Sequence, residues 1–178
     1  MKRYKWTISI ILLIVFLLAV TIVGYWPVQI LVLTGSYENE SYIYRLEQDT
    51  MVSFEFMHSM YNVPQRETFV IHDTELILSS VYFGNLFAAL YYDSLHQYPM
   101  LEREDGYYIE NINISYPYIC YGLGHGTIYT IHYNSDKIID INTVFQNSSS
   151  FKMNTTRISF IKYLGGGFFN GGIDNIRA

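Results

Sequence analysis

Apolar and polar positions along the chain fall into two regimes. Residues 6–26, WTISIILLIVFLLAVTIVGYW, form one uncharged apolar run. Beyond Pro27 the apolar residues come in short bursts, several alternating with polar ones, which is the period of a strand with one face buried. This pattern predicts strands over 28–33, 42–48, 50–59, 67–72, 75–83, 107–114, 128–133, 137–145 and 157–164. Turn-forming residues separate them, among them Asp73-Thr74, Gly122-Leu123-Gly124 and Asn134-Ser135-Asp136. The segment 85–98 reads as a short helix or an excursion over the surface, closed by Pro99 and the charged run 102–106. From residue 165 onward the chain is rich in glycine and reads as a flexible tail. Many short strands at close intervals predict an all-β domain, an antiparallel sandwich or barrel.

As a helix, the run 6–26 extends about 31 Å, the thickness of a bilayer's hydrocarbon core. Trp6 opens it, and Tyr25 and Trp26 close it, as interfacial aromatics do. Lys2, Arg3 and Lys5 precede it, which places the N-terminus in the cytoplasm and the rest outside. The expected organisation is a cytoplasmic N-terminus and transmembrane anchor over 1–26, an extracytoplasmic β-rich domain over 27–164 and a tail over 165–178. A cleaved signal peptide is the alternative, although the run is long for one and no A-x-A site follows. Either way the domain is exported, and the leading reading is a single-pass protein of the cell membrane with its main domain extracytoplasmic.

Composition narrows the partners. Beyond the three leading cations, 8 basic residues face 16 acidic ones, so neither a basic surface for nucleic acid nor a polybasic membrane-binding surface on the main domain is expected. The one cysteine, Cys120, can form no internal disulfide and reads as a small buried hydrophobe. Four Asn-x-Ser/Thr sequons begin at Asn39, Asn113, Asn147 and Asn154, a pattern an asparagine-rich chain produces by chance. No cofactor motif is present: Gly165-Gly166-Gly167 lacks the Lys-Ser/Thr of a phosphate loop. His72, His96, His125 and His132 show no metal spacing, so no metal is expected.

The stretch FEFMHSMYNVPQRETF, residues 54–69, carries the most specific expectation. Parity puts Val52, Phe54, Phe56 and His58 on one face, and Glu67, Phe69 and Ile71 on the matching face of the returning strand. A hairpin with Phe56 opposite Phe69 places His58 opposite Glu67, within reach of a hydrogen bond. Two meanings stay open: a satisfied structural pair holding the loop that Pro64 stiffens, or a tuned imidazole at the rim of a binding cavity. Ser59 is no nucleophile for His58, because neighbours on a strand face opposite ways. No complete catalytic arrangement is found, and an enzyme is the weakest reading. A ligand-binding alternative places a pocket among Tyr82, Gly84, Tyr91, Tyr92, Tyr107 and Tyr108, near His58.

The run from Val52 to Val70 resembles the hallmark of the DUF1850 family of prokaryotic proteins. His58, Ser59, Pro64, Glu67 and Phe69 match its His-Ser pair, following proline, and glutamate before an aromatic position. The apolar strand 76–83 and the Asp105-Gly106 turn follow in the family's order, and the resemblance covers about residues 28–145. The family's Gly-Ala-Gly-rich stretch is reduced here to Gly84 in FGNLFAAL. The resemblance implies a small exported or membrane-anchored protein of no established activity. Members tend to be encoded beside TRAP transporters of the TAXI kind, so a TRAP-type permease or solute receptor is the implied partner. It also implies an accessory role at that transporter.

Overall fold

The computed structural model describes residues 2–37, 40–48, 50–124, 127–134 and 136–169. In chain order its elements are α1 (Lys2–Gly24), β1 (Pro27–Gly35), β2 (Ser41–Arg45), β3 (Met51–Met57), β4 (Pro64–His72) and β5 (Glu75–Phe83). Then follow α2 (Leu86–Leu90), a 3-10 turn (Asp93–Leu95), β6 (Met100–Arg103), β7 (Gly106–Tyr116) and β8 (Ile119–Gly122). The chain continues through β9 (Tyr129–Tyr133), β10 (Lys137–Asp140), α3 (Ile141–Val144), β11 (Ser150–Ser159) and α4 (Phe160–Phe169). Two antiparallel sheets result, one of order β2-β1-β11-β8 and one of order β10-β9-β3-β4-β5-β7-β6. The fold is mostly β, as expected.

The sheets meet through their alternating apolar faces. Leu31 and Leu33 of β1 with Phe151 and Met153 of β11 come from the small sheet. Val52, Phe54, Phe69, Phe83, Ile109 and Ile131 come from the large one, and all are in a single core. Strict alternation fails in β5, where Leu76 and Leu78 are buried and then Val81 and Phe83. A register shift between Leu78 and Ser80 resets the parity. It sits opposite a stretch of β7 in which Asn111 and Asn113 have positive φ. Bulges of this kind keep both halves of a strand facing one core.

Several expectations change. The strand expected over 157–164 is the end of β11 followed by α4, and α4 also takes in the first residues of the expected tail. The cause is pairing: Ser159 faces Pro27, the first residue of β1, so beyond it no partner strand remains. The backbone there satisfies its hydrogen bonds within a helix instead. Residues 170–178 lie outside the described residues, as do Asn39 and His125. The strand expected over 137–145 stops at Asp140, whose carboxylate caps α3 by accepting from the Asn142 and Thr143 backbone N–H groups. Strands β6 and β8 and the first half of β11 are additional. Cys120 is exposed, not buried. It faces Lys152 across the β8–β11 ladder, while its neighbour Tyr121 packs against the core.

Helix α1 covers most of the expected anchor. Among the described residues no helix is long and apolar enough to cross a membrane. The side chains of α1 that are described, from Ile8 to Val23, lie exposed on every side of the helix.

The core predicts a clear contrast on substitution. Phe54→Ala should cost about 3–5 kcal/mol by creating a cavity between the sheets. Val70→Ala, on the outer face of the adjacent strand, should stay within about 0.5 kcal/mol. Denaturant unfolding of both variants checks this.

Candidate functional site

The hairpin of β3 and β4 turns through residues 58–63. His58 donates its backbone N–H to the Val63 carbonyl at 2.8 Å and accepts from the Asn62 N–H at 2.8 Å. Asn62 takes the left-handed conformation that closes the turn, with φ 50. The ladder therefore closes at Met57 opposite Pro64, and Phe54, not His58, stands opposite Glu67. Relative to the expected pairing of Phe56 with Phe69, β4 is displaced by four residues, since Phe56 faces Gln65. An even displacement preserves the faces, so His58 and Glu67 still point to the interior side. They do not form the expected hydrogen-bonded pair, because each has found other partners.

His58 is 5% exposed. Its Nδ1 accepts from the Met60 backbone N–H at 3.3 Å. Its ring lies among Tyr61 at 5.1 Å, Tyr91 at 5.5 Å and Tyr92 at 6.1 Å, centroid to centroid. Loss of hydration pushes the imidazole pKa below its ordinary value, which favours the neutral ring. Ser59 and Pro64 are exposed on the turn. The Pro64 carbonyl accepts from the Gly84 N–H at 2.8 Å. A Cβ on Gly84 would meet Pro64 Cδ at 2.8 Å, so this close approach of the two segments requires glycine.

Glu67 lies at the centre of a polar cluster inside the sandwich. Its Oε2 accepts from the Tyr121 hydroxyl at 2.6 Å, and its Oε1 from Gln65 Nε2 at 3.0 Å. Gln65, 0% exposed, also donates to the Tyr92 hydroxyl at 3.0 Å. Tyr121 belongs to β8 of the small sheet and Glu67 to β4 of the large one, so this bond spans the two layers. The Tyr121 ring rests on Phe54 at 4.1 Å and Phe151 at 5.5 Å. Desolvation raises the Glu67 pKa, against the lowering effect of the two donors. It also raises Tyr121 well above the ordinary phenol value, with the neighbouring Glu67 carboxylate adding to the rise. Tyr121 and Gln65 carry no signal in the sequence, and Tyr92 enters the expectations only as a pocket tyrosine, because the convergence of the three on Glu67 depends on sheet packing.

Five of the six positions expected to form one pocket separate into two groups, and Tyr107 stands apart from both. Tyr91 and Tyr92 stand with Gly84 near the His58 turn. Tyr82 and Tyr108 face each other on the other side of the sheet, rings 5.0 Å apart, and both hydroxyls reach Asp105. Tyr107 bonds to Glu102. The split follows from parity: Val81 and Ile109 point inward, so Tyr82 and Tyr108 point outward. A cavity of about 1120 Å³ lies elsewhere, and His58 is not in its lining. Its lining includes Trp26, Gln29, Arg45, Asp73, Arg157 and Phe160, at the opposite end of β4 from Pro64. Among the described residues no group of three or more His, Cys, Asp or Glu side chains is placed to hold a metal ion.

Two titrations follow. The raised Glu67 pKa means that the folded state holds this proton more tightly than the unfolded chain. Its contribution to stability is full below the ordinary carboxylate range and is lost as pH rises through the raised value. Glu67→Gln should flatten that part of the Tm–pH curve. Tyr121→Phe should destabilise by about 1–3 kcal/mol at neutral pH, by removing a donor from a buried carboxylate, and by less in acid. His58 has the opposite sense: its lowered pKa gives stability above about pH 6.5 that is lost as pH falls. A proton NMR titration of its ring should place the midpoint below that value.

No family model, no curated protein and no solved structure was found to match this chain.

Proposed function

We propose that this chain is a single-pass membrane protein whose extracytoplasmic β-sandwich is an accessory subunit of a TRAP-type solute uptake system. The carrying observation is α1. Its described apolar side chains, among them Leu12, Leu13, Ile14, Val15 and Phe16, are exposed around the helix and find no cover on the β domain. A helix apolar all round is stable only where it is buried, and the hydrocarbon core would bury it. The three leading cations orient it with the domain outside. The assignment to a transporter rests on the DUF1850 resemblance of residues 52–70 and on no chemistry of the site.

The shape of the domain favours an interaction role over catalysis. Met60, Phe87, Leu90 and Tyr91 are exposed together over the His58 turn, and Phe87 stacks on Tyr61 at 6.4 Å. A contiguous apolar patch of this kind marks a contact surface. It lies at the start of β4, while Trp26 and the Asp73 turn lie by the far end of that nine-residue strand. The patch thus faces away from the anchor by roughly 25–30 Å of strand. In this reading His58, with Gln65 and Glu67 behind it, keeps the turn rigid beneath the contact surface.

A photo-crosslinker placed at Phe87 in intact cells tests the proposal. A crosslink to a permease or solute receptor is expected, and Tyr91→Ala with Met60→Ala should weaken it. Crosslinks to no transport component would overturn the assignment.

A further inference from the structure

The chain leaves the β domain at both ends in the same place. Pro27 and Ser159 are paired at one end of the small sheet, so α1 and α4 attach side by side. The Phe160 backbone N–H donates to the Trp26 carbonyl at 2.9 Å. A Cβ on Gly24 would collide with Ile161 Cδ1, so the two helices touch where α1 ends. Yet Ile161 is 55% and Leu164 47% exposed, beside Trp26 at 65%. Helix α4 has no acidic residue, and its one charge is Lys162.

The same end gathers positive charge in an otherwise acidic domain. Arg45, Lys137 and Arg157 line the large groove there together with Trp26, Phe160 and Tyr163. With Lys162 they make four of the 8 basic residues found beyond the leading three. Two acidic side chains, Glu47 and Asp73, share the lining, and Asp73 pairs with Arg157 at 3.1 Å. Arg45 is held in position from behind: its carbonyl accepts from Asn134 Nδ2 at 2.8 Å. The Asn134 Oδ1 in turn accepts from the Glu47 N–H and the Thr50 hydroxyl.

We propose that this end of the domain docks on an anionic bilayer surface. Helix α4 lies in the interface beside the emerging α1, and Arg45, Lys137 and Lys162 lie at the level of the headgroups. Short helices with exposed apolar residues and flanking cations bind membranes in this way, and each cation near an anionic surface adds to the attraction. A second contact beside the first fixes the tilt of the sandwich and holds the His58 patch away from the membrane. The inference rests on the anchoring reading above, and the experiment separates the two.

The full chain, with Cys120→Ser, would be reconstituted in phosphatidylcholine–phosphatidylglycerol nanodiscs. It would carry one environment-sensitive fluorophore at Leu164→Cys, at Leu12→Cys or at Asn147→Cys. The expected result is loss of iodide quenching at 164 and at 12 relative to 147, with 164 quenched by a headgroup-level nitroxide lipid. Iodide access at 164 equal to that at 147, with 12 shielded, would overturn the docking and leave the anchor standing. Free access at 12 would overturn the anchor and the docking with it. Shielding at 164 should weaken in discs of phosphatidylcholine alone, and unchanged shielding would refute the role of the cations.

Discussion

The bond between the Glu67 carboxylate and the Tyr121 hydroxyl, 2.6 Å long, crosses from one sheet to the other through the middle of the core. Apolar burial drives the two layers together but has no direction, and many relative placements of two greasy faces would satisfy it. A buried carboxylate does have direction. It needs donors at fixed positions, and leaving it without them costs more than any one apolar contact returns. Tyr121 meets that need only when its ring lies on Phe54 and Phe151, as it does. The polar bond and the aromatic stack thus specify the same placement of the sheets.

From this bond the constraint spreads toward the surface. Gln65 links Glu67 to Tyr92, and the Tyr92 ring packs against Phe83 and His58. His58 holds the turn through its backbone and through Nδ1. Gly84 packs on Pro64 from the other side. Histidine, proline and glutamate, which stand close in sequence, therefore serve one structural unit without touching as a pair. Its fully satisfied polar members give rigidity to an exposed turn, which suits a contact surface.

The domain is polar in the geometric sense. One end carries the chain's exits into α1 and α4, the large groove and a concentration of cations. The other carries the His58 turn, α2 and an apolar patch. Long strands β4 and β5 connect the two ends. The proposed reading, with attachment at one end and recognition at the other, suits two packed sheets, because their strands transmit position with little bending.

Parity was legible in the sequence, because side chains alternate on a strand whatever its partners. The inward faces of β3 and β4 follow from it, and so do the burial of Val52, Phe54 and Phe69 and the bounds of β5. The change to an apolar helix before Pro27 is local as well. Register was not legible, because it depends on the turn that Asn62 closes and on which strand ends find neighbours. The partners of Glu67, the exposure of Cys120 and the coiling of α4 after Ser159 follow from sheet order. Sheet order joins residues far apart in the chain. A sequence fixes the direction a side chain takes from its own strand, but the group it meets there belongs to another layer and is set only when the sheets pack.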